Sequence, residues 1–385
     1  MTPAARIQAA IEILDEILGG IPVEKSLTNW ARRSRFAGSK DRAAVRDHVF
    51  SAIRCKRSFA ALGGSESGRG LMIGAIRAAG ERLDGLFSGE RHAPSVVTAA
   101  EVGRDFDTDA ERLDIPEWLW PRFQSSLGNQ AASVAQALQH RAPVHLRVNL
   151  IKADVSTAVA ALAAEDIVAV SHPACATALE VKEGARKISQ STAYRDGLVE
   201  LQDAASQAVV AALDLRPGLR VLDYCAGGGG KSLALAAHQG VKVFAHDVNP
   251  DRLRDLPSRA ERAGAPVELV STAELDQHAP FDVILADAPC SGSGSWRRAP
   301  AGKWALTETR LMELTEIQSS ILTKLSSMLI QGGVLAYATC SMLDEENGAV
   351  VDAFLSANPA WSETFRNTWL VTNGTDGLFT AHLMR

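Results

Sequence analysis

The chain has 385 residues, 46% hydrophobic and 22% charged, which excludes a disordered or fibrous protein and supplies core material for two or three domains. A formal net charge of −5 excludes a protein that is basic throughout, so any nucleic-acid contact must come from a local concentration of cations. Five cysteines, an odd number without a Cys-x-x-Cys pair, argue against a disulfide framework or a zinc knuckle.

No metal is expected. The amino terminus has no basic run leading into an apolar core, and no apolar stretch approaches about 18 residues, so the sequence reads as a cytoplasmic protein that neither enters nor crosses a membrane.

In chain order, Thr2-Pro3 followed by Ile7, Ala10, Ile11, Leu14, Ile17 and Leu18 predicts an amphipathic helix that stops at Gly19-Gly20. A second helix is predicted from Ser39, as N-cap, through Val45, Val49 and Ile53. Between Lys25 and Arg57 the chain places ten Lys or Arg against two acids, Asp41 and Asp47. Such a run is either a solvated helix face or a surface for phosphates. Helical patterns continue over 70–80, 95–100 and 116–139, where Trp118 and Trp120 are expected in the core. Residues 1–140 read as one all-α domain.

From Val144 to Leu150 the period changes to two, the sign of a half-buried strand, and places a boundary near Pro143. A helix over 157–164, strands over 167–170 and 178–181, and a turn at Asp196-Gly197 make a small α+β segment, 143–200. A helix over 201–213 opens the last domain, 201–385. There, strands predicted at 220–223, 241–247, 267–270, 283–287 and 334–338 alternate with helices beginning near Lys231, Pro250 and Thr307, the pattern of a doubly wound parallel α/β sheet.

Chemistry is expected at the carboxyl ends of these strands. Asp223-Tyr-Cys225-Ala226-Gly227-Gly228-Gly229-Gly230-Lys231 joins the first strand to a helix through four glycines, which let a ligand lie against the backbone beside a helix amino terminus. Asp247, 24 residues after Asp223, is placed to accept both hydroxyls of a ribose, as for NAD or S-adenosylmethionine. The fourth strand ends in Asp287-Ala-Pro-Cys290 and the fifth in Tyr337-Ala-Thr-Cys340-Ser341, with Ser341-x-x-Asp344 resembling a helix-capping start. Strand ends that neighbour one another put both thiols in one cleft, which suggests covalent chemistry. Cys55 and Cys175 read as packing residues, and Cys225 as intermediate.

These residues, with Arg297-Arg298-x-Pro300-x-x-Lys303-Trp304, Gln318, Gly332-Gly333 and Glu345-Glu-Asn347, strongly resemble the Sun/Fmu family of S-adenosylmethionine-dependent RNA 5-methylcytosine methyltransferases. The resemblance covers nearly the whole chain. It implies a Rossmann-like methyltransferase domain preceded by an all-α NusB-like RNA-binding domain and a small RNA-recognition-like α+β segment that starts at Leu146-Arg-Val-Asn149, with Asp376-Gly-Leu-Phe379 as the closing strand. By family correspondence Cys340 attacks cytosine C6, Cys290 assists proton loss and release, and Asp287 holds the base and touches the cofactor. The turn from Asp223 to Gly230, with Lys231 and Asp247, binds S-adenosylmethionine, and Lys231, Arg297, Arg298 and Lys303 contact the substrate.

The implied partner is RNA, ribosomal RNA in particular, and a monomer is expected. Two positions depart from the family pattern. The cofactor turn has glycines where Ala-Pro-Gly-Gly-Lys is usual, and Ser271 or Thr272 stands where an aspartate commonly contacts the adenine, which implies weaker cofactor binding. An amino-group methyltransferase gripping an exocyclic amine with Asp287 and Pro289, and a non-catalytic RNA-binding assembly factor, are the alternative readings.

Overall fold

The computed structural model describes residues 1–385. They form two compact units, one of residues 1–141 joined by 296–305, the other of residues 142–295 and 306–385.

The first unit is helical. Helix α1 (Pro3–Leu18) begins under the Thr2 side chain, which accepts from the Ala5 amide, and buries Ile7, Ala10, Ile11 and Leu14 at helical spacing. Helices α2 (Val23–Arg33), α3 (Ser39–Arg54), α4 (Lys56–Gly63) and α5 (Gly68–Ala78) complete the core with Trp30, Val45, Val49, Phe59 and Ile73. Gly38, not Ser39, is the N-cap of α3. Helix α2 escaped the sequence reading because its cations hide a narrow apolar stripe, Leu27 and Trp30.

No helix forms over 95–100, where Pro94 and the branched pair Val96-Val97 favour extended backbone. The helical stretch expected over 116–139 is broken at Gly128, φ +55°, into Trp120–Leu127 and Ala131–Leu138. Trp118 and Trp120 are only partly buried.

The second unit holds two sheets. The smaller is antiparallel, in the order β2-β3-β1-β4, with β1 Val144–Val148, β2 Val168–Ser171, β3 Ala178–Glu183 and β4 Val199–Leu201. Strand β4 occupies the start of the helix expected over 201–213. That helix begins at Ala204, where the Asp203 side chain accepts from the Ala205 amide. The small sheet belongs to the same unit as the large one: Asn149 Nδ2 donates to the Ala263 carbonyl at 2.7 Å, and Glu200 pairs with Arg262 at 2.7 Å and Arg259 at 3.4 Å.

The large sheet has the order β10-β11-β9-β8-β5-β6-β7, with β5 Arg220–Asp223, β6 Lys242–Ala245, β7 Val267–Leu269, β8 Phe281–Asp287, β9 Leu329–Thr339, β10 Ser362–Trp369 and β11 Leu378–Met384. Strands β5 to β9 are parallel, while β11 runs antiparallel to β9, and β10 antiparallel to β11. The order reverses between β5 and β8, so their carboxyl ends flank the crevice where such sheets bind ligands. Strand β8 is an unbroken apolar run because Val283, Ile284, Leu285 and Ala286 are covered on both faces. Strand β10 is polar and mostly exposed, which is why periodicity missed it. No helix is long and apolar enough to cross a membrane.

Candidate active site

Residues Asp287 and Ala338 are register partners in the parallel pair β8 and β9, so the loops that follow leave the sheet side by side. This places the Sγ atoms of Cys290 and Cys340 3.3 Å apart, both partly exposed. The contact sets unequal acidities. The Cys290 hydrogen bond holds the Cys340 thiol below its usual range, against burial, with Lys231 and a Ser295 hydrogen bond acting in the same direction. Cys290 is pushed well up by the same bond and by burial. Of the two thiols, Cys340 is the one whose surroundings favour ionisation.

A buried glutamate ties the two loops together. Glu346, 0% exposed, accepts from the Ser291 amide at 2.7 Å, from the hydroxyls of Ser291 and Ser341, and from Gln318 Nε2 at 3.1 Å. Ser341 therefore does not cap a helix: its hydroxyl accepts from the Leu343 amide, and Asn347 is the N-cap of the next helix, Gly348–Ala357. Asn347 braces the fifth-strand loop through Thr339 and the Ser341 carbonyl. Gly294 and Gly377 meet backbone to backbone. A Cβ on Gly294 would lie 2.0 Å from the Gly377 carbonyl oxygen, so no other residue fits.

Beside the thiols Lys231 Nζ donates to Asp287 Oδ2 at 2.8 Å. Burial works against the charge of Lys231, but Asp287 outweighs it with Coulomb attraction and this bond, and the amine is held protonated.

The glycine turn follows β5. Gly227 has φ +54° and Gly229 φ +77°, and a Cβ on Gly229 would strike Leu256 at 2.3 Å. Aligned on Lys231, the family's usual proline falls at Gly228, which has no positive φ, so nothing in the structure explains that departure. Asp223 is fully buried, with Oδ2 accepting from Ser232 Oγ at 2.7 Å and Oδ1 without a partner. Burial pushes its carboxyl up to about 7. Asp247 Oδ2 accepts from the Gly227 amide at 2.9 Å and pairs with Arg252 at 3.2 Å, which fixes the turn against the end of β6. Cys225 is partly exposed and its thiol is pushed up by burial, in keeping with a packing role. Ala226 and Gly228 lie on the open side of the turn, Ala226 partly and Gly228 well exposed.

This turn fits the methionine end of S-adenosylmethionine: an orphaned carboxylate oxygen faces an ammonium's requirement, and the glycine backbone allows close approach. Beyond β7, Ser271 is held by Glu274 through amide and hydroxyl, whereas Thr272 Oγ1 bonds His246 Nε2 at 2.9 Å, with His246 stacked on Tyr224 at 4.5 Å.

Of three residues expected at the substrate, two are buried within the helical unit. Lys303 is 0% exposed inside the helical unit, donating to the Arg54 carbonyl at 2.9 Å. Arg297 is 5% exposed, and its carbonyl accepts from Arg54 Nε at 2.8 Å. Neither is available to a substrate, because the segment 296–305 packs as part of the helical unit, with Trp296 stacked on Phe123 at 6.0 Å. Arg298 alone of the three is exposed. Glu346 and Ser295 are the site residues that the sequence reading missed. Glu345-Glu-Asn347 was legible as a pattern, but which acid turns inward depends on the short 3-10 turn at Asp344–Glu346.

The basic stretch divides as well. Arg33 pairs with Glu16, Arg46 with Glu24, Lys56 with Glu66 and Arg57 with Glu117, and Arg54 is buried. Arg32, Arg35 and Arg42 line a shallow groove with Thr28 and Ala31.

Comparison with known proteins agrees with this arrangement. Residues 210–383 match the family model described as 16S rRNA methyltransferase RsmB/F, and residues 115–187 match the ferredoxin-like domain of RsmF/B-like methyltransferases. The chain is 33% identical over 304 residues to ribosomal RNA small subunit methyltransferase B of Sodalis glossinidius, covering 74% of this chain and 67% of that one. A methyltransferase homologue from Pyrococcus horikoshii superposes with a TM-score of 0.63 at 26% identity, over 71% of this chain and 97% of the other. The structure of NSun6 from the same organism with SFG, an S-adenosylmethionine analogue, shares the fold at a TM-score of 0.63 and 17% identity, over 70% and 98% of the two chains. The protein belongs to the RsmB/F branch of the Sun/Fmu family, methyltransferases whose cofactor is S-adenosylmethionine.

Proposed function

We propose that the protein methylates C5 of a cytosine in ribosomal RNA through a covalent adduct on Cys340. The observation that carries this reading is the pair of thiols 3.3 Å apart, one held acidic and one not, beside a lysine-paired aspartate. A methyltransferase acting on an amine or hydroxyl needs no such pair. Cytosine C5 is a poor nucleophile, and addition of a thiolate to C6 breaks the C5–C6 double bond and makes C5 enamine-like.

Asp223, the amides from Cys225 to Gly230 and Asp247 are the residues that would hold S-adenosylmethionine, which supplies the methyl electrophile. Asp287 holds the N3 and N4 edge of the base, and the Lys231 ammonium offsets negative charge that gathers there on addition. Once the Cys340 sulfur is bound to C6 it no longer accepts a bond from Cys290. The largest cause of the raised Cys290 pKa is then gone, and Cys290 gives up its proton to solvent more readily. As a thiolate it takes the C5 proton, the electron pair re-forms the C5–C6 double bond, and Cys340 leaves as thiolate. The target base has to be unstacked to reach this site.

RNA docking falls to the helical unit, NusB-like in this reading, through the arginine groove on α2 and α3. Relatives described as ribosomal RNA small subunit methyltransferases support the substrate class. The experiment is a pair of variants assayed on ribosomal RNA with labelled S-adenosylmethionine. Cys340→Ala is expected to lose methyl transfer, and Cys290→Ala to accumulate a protein–RNA complex that survives denaturing electrophoresis. Retained transfer in Cys340→Ala overturns the covalent mechanism. Bisulfite sequencing of the product RNA locates the modified base, and an unchanged bisulfite pattern overturns the assignment to C5.

A further inference from the structure

The small sheet carries a group of side chains that methyl transfer does not use. His145 of β1 and Glu180 of β3 are register partners, and His172 follows β2. One ligand atom from each of the three lies within 4.8 Å of the others. His145 is 2% exposed, and its two nitrogens are unlike. Nδ1 is 2.9 Å from Asp203 Oδ2, while Nε2 is buried with no partner. The Ala204 amide also lies 3.3 Å from Nδ1, and a carboxylate set behind one ring nitrogen, with the other left free, is the arrangement that orients a metal-binding histidine. His172 is 7% exposed, edge-on to His145 with centroids 4.9 Å apart, and its Nδ1 accepts only a long bond from the Ala174 amide, 3.2 Å. Gly374 lies beside that ring, leaving it room to turn. Glu180 is half-buried, with Oε1 on Lys182 at 2.6 Å.

We propose that His145, His172 and Glu180 form a binding site for a divalent transition ion, zinc first, with Asp203 as the positioning residue behind His145. Two imidazoles and a carboxylate with a fourth place open to water are a common zinc donor set, and no thiol is needed. Three donors 4.8 Å apart would each have to draw in by about 0.7 Å to reach zinc bond lengths, within reach of small side-chain rotations. Binding costs Glu180 its bond to Lys182, and in return the buried His145 Nε2 gains a partner. The ion would link β1, β3 and the turn after β2. Through Asp203, which also accepts from the Asp376 amide at 3.1 Å, it would brace the approach to β11.

The test uses the full-length protein freed of metal by a chelator, then titrated with zinc by calorimetry and with cobalt by visible absorption. One equivalent of ion is expected to bind, raising the melting temperature. The cobalt spectrum should show no thiolate charge-transfer band, since the ligands are nitrogen and oxygen. His172→Ala and Glu180→Gln are each expected to weaken binding at least tenfold, and Asp203→Asn by about 10 to 100-fold, as for other residues behind metal ligands. Far-UV circular dichroism reports whether each variant is folded, and Glu180→Gln, at a half-buried rim, keeps the test readable if His172→Ala is not. The proposal is overturned if zinc does not bind stoichiometrically, if both rim variants bind as tightly as the parent, or if a thiolate band appears and places the ion at cysteines instead.

Discussion

The Sγ atoms of Cys290 and Cys340 stand 3.3 Å apart at the ends of adjacent parallel strands, and the hydrogen bond between them is the largest influence on the acidity of either thiol. Removing Cys290 takes away the first cause of the lowered Cys340 value, leaving burial and Asp287 to push it up against Lys231 and Ser295. In Cys290→Ala the pH midpoint for alkylation of Cys340 by iodoacetamide, followed by peptide mass spectrometry, should therefore move to higher pH. A midpoint that stays put would mean that Lys231 and Ser295 set the thiolate unaided.

Glu346 acts on this pair from behind, by accepting from both cysteine loops at once. Glu346→Ala leaves the Ser291 amide, two hydroxyls and the Gln318 amide short of an acceptor, and a buried network broken in this way is expected to cost about 3 kcal/mol of stability. The loops should then separate, with kcat falling further than the affinity for S-adenosylmethionine. Thermal melting and cofactor calorimetry on one variant check both parts. Cofactor affinity lost in proportion to activity would point to general unfolding.

Much of the large sheet was legible because its parallel strands are buried on both faces and announce themselves as short apolar runs, Val283 to Ala286 above all. The site positions at strand ends follow from that register, and with them Asp223, Asp247, Asp287, Cys290 and Cys340. What was hidden depends on long-range packing. Strand β10 alternates too weakly to be read, since Phe365 is 37% exposed and its neighbours are polar. The direction of Lys303 could not be read from its charge. A cation thirteen residues beyond Cys290 suggests a substrate contact, and only the tertiary structure turns it into a buried residue of the helical unit.

Asp223 offers a pH test of the cofactor turn. Burial raises its carboxyl from 3.8 to about 7, so the folded state holds a proton there that the unfolded chain gives up. The stability it contributes is complete below about pH 4, declines as pH rises toward 7, and is absent above. Asp223→Asn should flatten the stability curve across that window. An ammonium brought to the orphaned Oδ1 favours the charged form, so S-adenosylmethionine binding just below pH 7 should release a proton, seen as different calorimetric heats in buffers of unlike ionisation enthalpy. The variant should bind roughly 10 to 100-fold more weakly, the range for a lost charged hydrogen bond. Equal heats in all buffers would place the ammonium elsewhere.

Lys303 gives the converse sign. Burial lowers its amine from 10.5 to about 8, partly opposed by Asp114, while its Nζ donates to the Arg54 carbonyl and lies 4.6 Å from the Trp304 ring. Between pH 8 and 10.5 the unfolded chain carries a proton that the folded chain has lost, so stability should rise with pH across that interval. Lys303→Met keeps the volume and removes the titration. Its stability curve is expected to be flat over the same interval, with the affinity for ribosomal RNA unchanged, because the side chain is fully buried. Denaturant melts at a series of pH values and a filter-binding curve measure the two. Weakened RNA binding in a variant that melts like the parent would return Lys303 to the substrate, against the position the fold gives it.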